Sequence, residues 1–140
     1  DVEAIDGSIP AAEIYRAVEL LPRVRDSLVV DLEYLGRPSF LPLFVVLAEG
    51  EVLTGAQRAT LLQQVRTHAS PRHVPDAVLQ VAAVPRTLTG KKMEVPMCRL
   101  LLGTPVESVA RTDAMANPES LDFFVRYALE LGEAQAAEMG

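Results

Sequence analysis

Two lysines stand side by side at positions 91 and 92, and they are the only lysines among thirteen basic residues. They close the stretch Pro85-Arg86-Thr87-Leu88-Thr89-Gly90-Lys91-Lys92. Arginine presents a planar fork suited to flat, two-point contacts, whereas lysine is a compact charge on a long flexible stem. A chain that uses arginine everywhere else, and lysine only beside a glycine, has a position that suits an ammonium. The chemistry open to it is contact with a carboxylate or phosphate oxygen. The apolar run Ala77 to Val84 comes before and reads as a strand. The segment from Glu94 follows and reads as a short helix, with Pro96 near its start and Gly103 just past its end. A strand, a glycine turn and a helix start together would hold Lys91 at the tip of a tight loop.

The elements that must position this loop are legible upstream. Ser8-Ile9-Pro10 has the form of a helix start, and Ala11, Ile14, Val18 and Leu21 recur at helical spacing. The pattern predicts an amphipathic helix over about residues 10–21, ended by Pro22. Residues 27–32 and 41–48 read as an antiparallel strand pair around the turn Gly36-Arg37-Pro38, the second strand so apolar that it should be central. Thr54 and Gln57 form a capping box for a helix running to about His68, with Leu61, Leu62 and Val65 on its buried side. Ser70-Pro71 stops it. Residues 104–116 look irregular. Asn117-Pro118 is expected to cap a last helix over about 118–131, with Leu121, Phe124, Val125, Ala128 and Leu129 on one stripe and Gly132 as its end. The expected fold is α/β (α+β), a sheet of about three strands flanked by helices, with or without an extra hairpin.

Composition narrows the function. The chain has 140 residues, 49% of them hydrophobic and 23% charged, which suits one soluble globular domain. No apolar run reaches the roughly 18 residues that span a bilayer, and no basic-then-apolar leader is seen, so a cytoplasmic setting is expected. The single cysteine, Cys98, is expected as a buried structural thiol, and no Cys/His spacing suits a metal. A net charge of −6 argues against general nucleic-acid binding. The sign changes along the chain: residues 66–103 hold two acids and six bases, while both flanks are net acidic. Either this is a local anion site or the charges are scattered and solvated.

Pro-x-Thr-x-x-Gly-Lys behind a strand resembles the last core motif of the acyl-adenylate-forming enzymes, which comprise acyl-CoA synthetases, adenylation domains and luciferases. Residues 12–19, AEIYRAVE, look like the first helix of that family's small C-terminal domain. Ser70-Pro71-Arg72-His73-Val74-Pro75, Gly90-Lys91-Lys92-Met93-Glu94-Val95-Pro96 and Asn117-Pro118-Glu119-Ser120-Leu121-Asp122-Phe123-Phe124 are similar to the subgroup that activates acetoacetate. The resemblance covers roughly residues 8–128 of the chain.

The resemblance implies a C-terminal lid domain over residues 1–103 and an extension over 104–140 carrying the last helix. It implies a two-step ligase, in which acetoacetate and ATP give an acyl-adenylate and CoA then displaces AMP. ATP, with its magnesium, would belong to the N-terminal domain, the expected partner of this one; the chain alone should not turn over, and no metal site or bound cofactor is expected on it. Lys91 would be the adenylation lysine. Arg66 resembles a family arginine placed near the CoA phosphates, with Arg72 a weaker candidate. Gly7 would be the loop glycine that lets CoA pass close to the backbone. Ser8 stands where relatives carry an ATP-contacting arginine, and Asp1 or Asp6 would be a remnant of the hinge. Lys92 is expected to be an exposed neighbour and His73 a structural residue. A lysine acyltransferase or deacylase acting on Lys91 would be a further partner. Alternatives are another short-chain acyl-CoA synthetase, of acetyl or propionyl type, and a non-catalytic interaction module of the same fold whose docking surface is the last helix.

Overall fold

A computed structural model describes residues 11–34, 38–69 and 74–139. The chain divides into two compact units at Ala82/Ala83. The expected α+β class, with three strands and flanking helices, is what the structure shows.

In the first unit, helix α1 (Ala11–Glu19) turns its apolar stripe, Ile14, Ala17 and Val18, into the core. Strands β1 (Val24–Val29), β2 (Pro42–Leu47) and β3 (Ala77–Gln80) form one sheet in the order β1-β2-β3. The apolar run at 42–47 is central, as its composition requires. It pairs antiparallel with β1 and parallel with β3. A parallel pair needs a crossover, and helix α2 (Gly55–His68) lies in that connection. Leu43, Val45 and Leu47 alternate onto one face of β2, where they share a buried cluster with Ile14 and Val18 of α1 and Leu61 and Val65 of α2. Strand β1 begins three residues earlier than its apolar pattern suggests; after it Val30 N–H still donates to the Pro42 carbonyl at 3.4 Å, and a separate bridge joins Leu32 and Phe40.

Both sheet edges are closed by helix side chains. The Tyr15 hydroxyl accepts from the Val29 N–H at 3.2 Å and donates to the Val29 carbonyl at 3.5 Å. At the other edge Arg58 Nε donates to the Val78 carbonyl at 3.2 Å. Unpaired edge groups would otherwise template pairing with another strand. The capping box forms as expected: Gln57 N–H donates to Thr54 Oγ1 at 3.1 Å, and Thr54 N–H donates to Gln57 Oε1 at 3.0 Å.

In the second unit, helix α3 (Glu94–Leu101) ends in a left-handed turn at Gly103, φ +114°. Gly103 N–H bonds the Leu100 carbonyl and Thr104 N–H the Arg99 carbonyl, both at 3.0 Å, so the last carbonyls are satisfied in a Schellman arrangement. The stretch expected to be irregular holds one helical turn, α4 (Val106–Val109), and a 3₁₀ turn, Thr112–Ala114. A second 3₁₀ turn, Pro118–Ser120, leads into α5 (Leu121–Met139), which packs against α3. Three expectations are corrected here. Gly132 does not end the last helix, which continues to Met139; its φ is not positive, and the residues after it, Glu133 to Ala137, are good helix formers. Asn117 makes no side-chain cap bond to the helix it precedes, because its amide is engaged elsewhere. Cys98 is half-buried rather than buried.

Candidate functional site

Strand β3 is shorter than its apolar run: regular pairing stops at Gln80, and Val81 donates one last bond to the Val45 carbonyl. The chain then enters the second unit and forms the lysine turn. Residues 85–88 are the middle strand of a miniature antiparallel arrangement. On one side, Thr87 N–H donates to the Lys91 carbonyl and Met93 N–H to the Pro85 carbonyl, both at 3.0 Å, flanking the bridge between Arg86 and Lys92. On the other side, Leu88 N–H donates to the Ala114 carbonyl at 3.1 Å and Ala116 N–H to the Arg86 carbonyl at 3.0 Å, flanking the bridge between Thr87 and Met115.

The turn is also tied from within. Gly90 N–H donates to the Thr87 carbonyl at 2.9 Å, closing a four-residue turn, and Gly90 sits at φ +91°, where an L side chain is strained. Lys91 N–H donates to Thr87 Oγ1 at 3.1 Å, and the Thr87 and Thr89 hydroxyls are 3.1 Å apart. Arg86 reaches round with its guanidinium to the Gly90 carbonyl at 2.6 Å. The spacing Thr-x-x-Gly-Lys therefore has a physical reading: the threonine hydroxyl fixes the lysine's own backbone, and the glycine supplies the turn.

Lys91 leaves this frame with an exposed side chain that makes no hydrogen bond or ion pair with the described residues. Its backbone is fixed while its ammonium is available, which suits an anion brought from outside. Lys92 is half-buried and engaged rather than an exposed neighbour, and its backbone pairs with Arg86 of the middle strand. Arg66 lies in the first unit, on the last turn of α2, exposed and without a polar contact to the described residues. Gly7, Ser8, Arg72 and His73 lie outside the described residues. Among the described residues no group of three or more acidic, His or Cys side chains could hold a metal. No described helix is long and apolar enough to cross a membrane.

Asn117 is the residue that sequence reasoning placed wrongly. Its side-chain amide donates to the Val84 carbonyl at 2.8 Å and accepts from the Arg86 N–H at 3.0 Å.

No family model matches the chain. Individual relatives do. The chain is 38% identical over 122 residues to an acetoacetyl-CoA synthetase of Caenorhabditis elegans, covering 86% of this chain and 17% of the relative. It is 39% identical over 116 residues to an acetoacetyl-coenzyme A synthetase of Rhizobium meliloti (strain 1021), covering 83% of this chain and 17% of that protein. The solved acetoacetyl-CoA synthetase from Streptomyces lividans superposes with a TM-score of 0.78 at 43% identity, over 86% of this chain and 18% of that one. The chain thus spans about one sixth of the length of these relatives and matches their C-terminal part.

Proposed function

The chain belongs to the acyl-CoA synthetase family as a C-terminal domain, and on that premise we propose that it is the lysine-bearing lid of an AMP-forming acetoacetyl-CoA synthetase. The observation that carries the role is the turn itself: a backbone fixed on both sides, bearing an exposed lysine whose side chain makes no polar contact with the described residues.

In the adenylation step the carboxylate oxygen of acetoacetate attacks the α-phosphorus of ATP, and the bond to pyrophosphate breaks. Two anions must approach each other, and negative charge builds on the phosphate. The Lys91 ammonium, touching both a carboxylate and a phosphoryl oxygen, offsets that repulsion and fixes the line of attack. In the second step the CoA thiol adds to the acyl carbonyl and AMP leaves; Arg66, an exposed guanidinium fork, is the proposed contact for CoA phosphates. ATP, its magnesium and the acyl pocket belong in this proposal to an N-terminal domain, the working partner of this one. Without it the Lys91 ammonium has no ATP or acyl pocket to act in, so on its own the chain is expected not to turn over. Acylation of Lys91 by a lysine acyltransferase would remove the charge and silence the first step.

The test uses the full-length enzyme with Lys91→Ala and follows the half-reactions separately. Pyrophosphate release with acetoacetate and ATP is expected to fall by about 10²–10³, the scale of losing one charge-stabilising donor. Thioester formation from pre-made acetoacetyl-adenylate and CoA is expected to persist. Unchanged pyrophosphate release would remove Lys91 from the chemistry.

A further inference from the structure

The lysine turn has two braces of different origin. One is local: residues 91–93 fold back on 85–87, and Thr87, Gly90 and Arg86 close the turn within a few residues of one another. The other comes from far along the chain, from residues 114–117. Ala114 and Ala116 pair with Leu88 and Arg86 through their backbones. On this side the pairing stops at Arg86, whose N–H goes to the Asn117 side chain instead; Pro85 faces the other side, where its carbonyl accepts from Met93 N–H. Asn117 takes over at that point. Its carbonyl oxygen accepts from Arg86 N–H, and its NH₂ donates to the Val84 carbonyl, so one side-chain amide bridges the two backbone groups that straddle the proline. With it, the Arg86 N–H and the carbonyls of Val84, Pro85 and Arg86 all have partners.

Asn117 is itself held. Its backbone carbonyl accepts from Ser120 N–H at 2.9 Å and from the Ser120 hydroxyl at 2.7 Å, and Ser120 is buried. Pro118, the next residue, fixes the backbone direction just after it. Met115 is buried two residues before it, and Leu121 and Phe124 are buried after it. The amide is therefore presented from a rigid corner, not from a free loop.

We propose that Asn117 is a positioning residue for Lys91: the segment downstream of α4 sets the strand from which the lysine turn projects, and so sets where the ammonium sits during adenylation. This rests on the reading of Lys91 as the adenylation lysine. Asn117 touches no substrate in this scheme. It acts through the backbone of Val84 and Arg86, just upstream of the turn closed at Gly90, where a small tilt is magnified along the long lysine side chain. Misplacement on the scale of an ångström is enough to cost a positioned group much of its effect.

The test uses the full-length enzyme with Asn117→Ala, Asn117→Asp and Lys91→Ala side by side. Asn117→Ala is expected to lower kcat for pyrophosphate release roughly ten- to hundredfold. KM for ATP and acetoacetate should stay near the parent value, and thioester formation from pre-made acetoacetyl-adenylate should be unaffected. The Arg86 amide should lose its protection from hydrogen exchange. Asn117→Asp keeps the acceptor for Arg86 N–H and loses the donor to Val84, so its kcat loss should be smaller; it decides the matter by the same readouts if the alanine variant fails to fold. Parent-level pyrophosphate release in the Asn117 variants, with a strong loss in Lys91→Ala, would overturn this role and leave the lysine's intact. An equal fall in both half-reactions would make Asn117 a general fold residue and overturn it too. An inert Lys91→Ala would overturn the adenylation reading, and this role with it.

Discussion

Thr54 and Asn117 stand in the same kind of place, each a small polar residue directly before a helical turn, and the molecule uses them in opposite ways. Thr54 bonds the N–H of Gln57, three residues on, and Gln57 bonds back. Both partners lie within one turn, and the result is a helix start and nothing more. Asn117 leaves its own turn uncapped by a side chain and reaches residues 31 and 33 positions away in sequence. The first arrangement stabilises an element; the second joins two elements that local structure would leave apart. The difference teaches where precision in the second unit originates. The lysine turn needs a fixed strand beneath it, and part of that strand's hydrogen bonding is supplied by a distant segment.

The strongest way to break the comparison is to loosen the support under Asn117 without touching it. Phe124 is fully buried in α5, with its ring edge-on to Phe123 at 5.5 Å between centroids. Phe124→Ala should destabilise the protein by about 3–5 kcal/mol, the usual range for losing a buried aromatic ring, measured by denaturant unfolding. Below that transition the Arg86 and Leu88 amides should also exchange faster, since the segment that pairs with them runs directly into this helix. A stability loss under about 1 kcal/mol, the range of surface changes, would mean that α5 is not what anchors the corner.

A smaller effect sharpens the other side. Thr54→Ala removes one partner of the capping box and should cost about 1 kcal/mol. The accompanying loss of exchange protection should be confined to the first turn of α2, with the Gln57 amide most affected. If Thr54→Ala instead cost as much as Phe124→Ala, the local character assigned to this cap would be wrong.

These contrasts track what the sequence alone could show. The capping box was legible because its donors and acceptors sit three residues apart and depend on nothing else. The central place of β2 was legible because a strand buried on both faces carries no polar alternation, and 42–47 has none. The stop of α3 was legible because Gly103 takes a backbone conformation that other residues avoid. Lys91 stood out by residue type, a lysine in an arginine-rich chain, and its turn by the glycine before it. Asn117 was misread because the rule for a polar residue before Pro-Glu is a local one. Which rule wins depends on whether an unsatisfied backbone group lies within reach, and residues 84–86 come into reach only in the folded chain. The early end of β3 was hidden for a related reason: Val81 and Val84 are buried whether or not they are paired in the sheet, so hydrophobicity marks them identically.

Gly132 is the finest test of this division between local and long-range signals. Read locally, a glycine after an amphipathic stripe stops a helix, usually with a positive φ at that position. In the structure Gly132 is an interior residue of α5, without a positive φ, and a Cβ built on it meets nothing within 4 Å. An interior glycine leaves the unfolded chain more freedom than alanine does, so Gly132→Ala should raise stability by about 0.5–1 kcal/mol. If the helix ended there in a left-handed turn, the same substitution would force alanine into a conformation that costs roughly 1–2 kcal/mol. The two accounts of one residue therefore differ in the sign of a single unfolding free energy. A stabilised variant would show that Leu131 and the alanine- and glutamate-rich residues after Gly132 carry the helix through it. A destabilised one would restore the glycine as a stop and shorten the α5 on which the corner holding Asn117 depends.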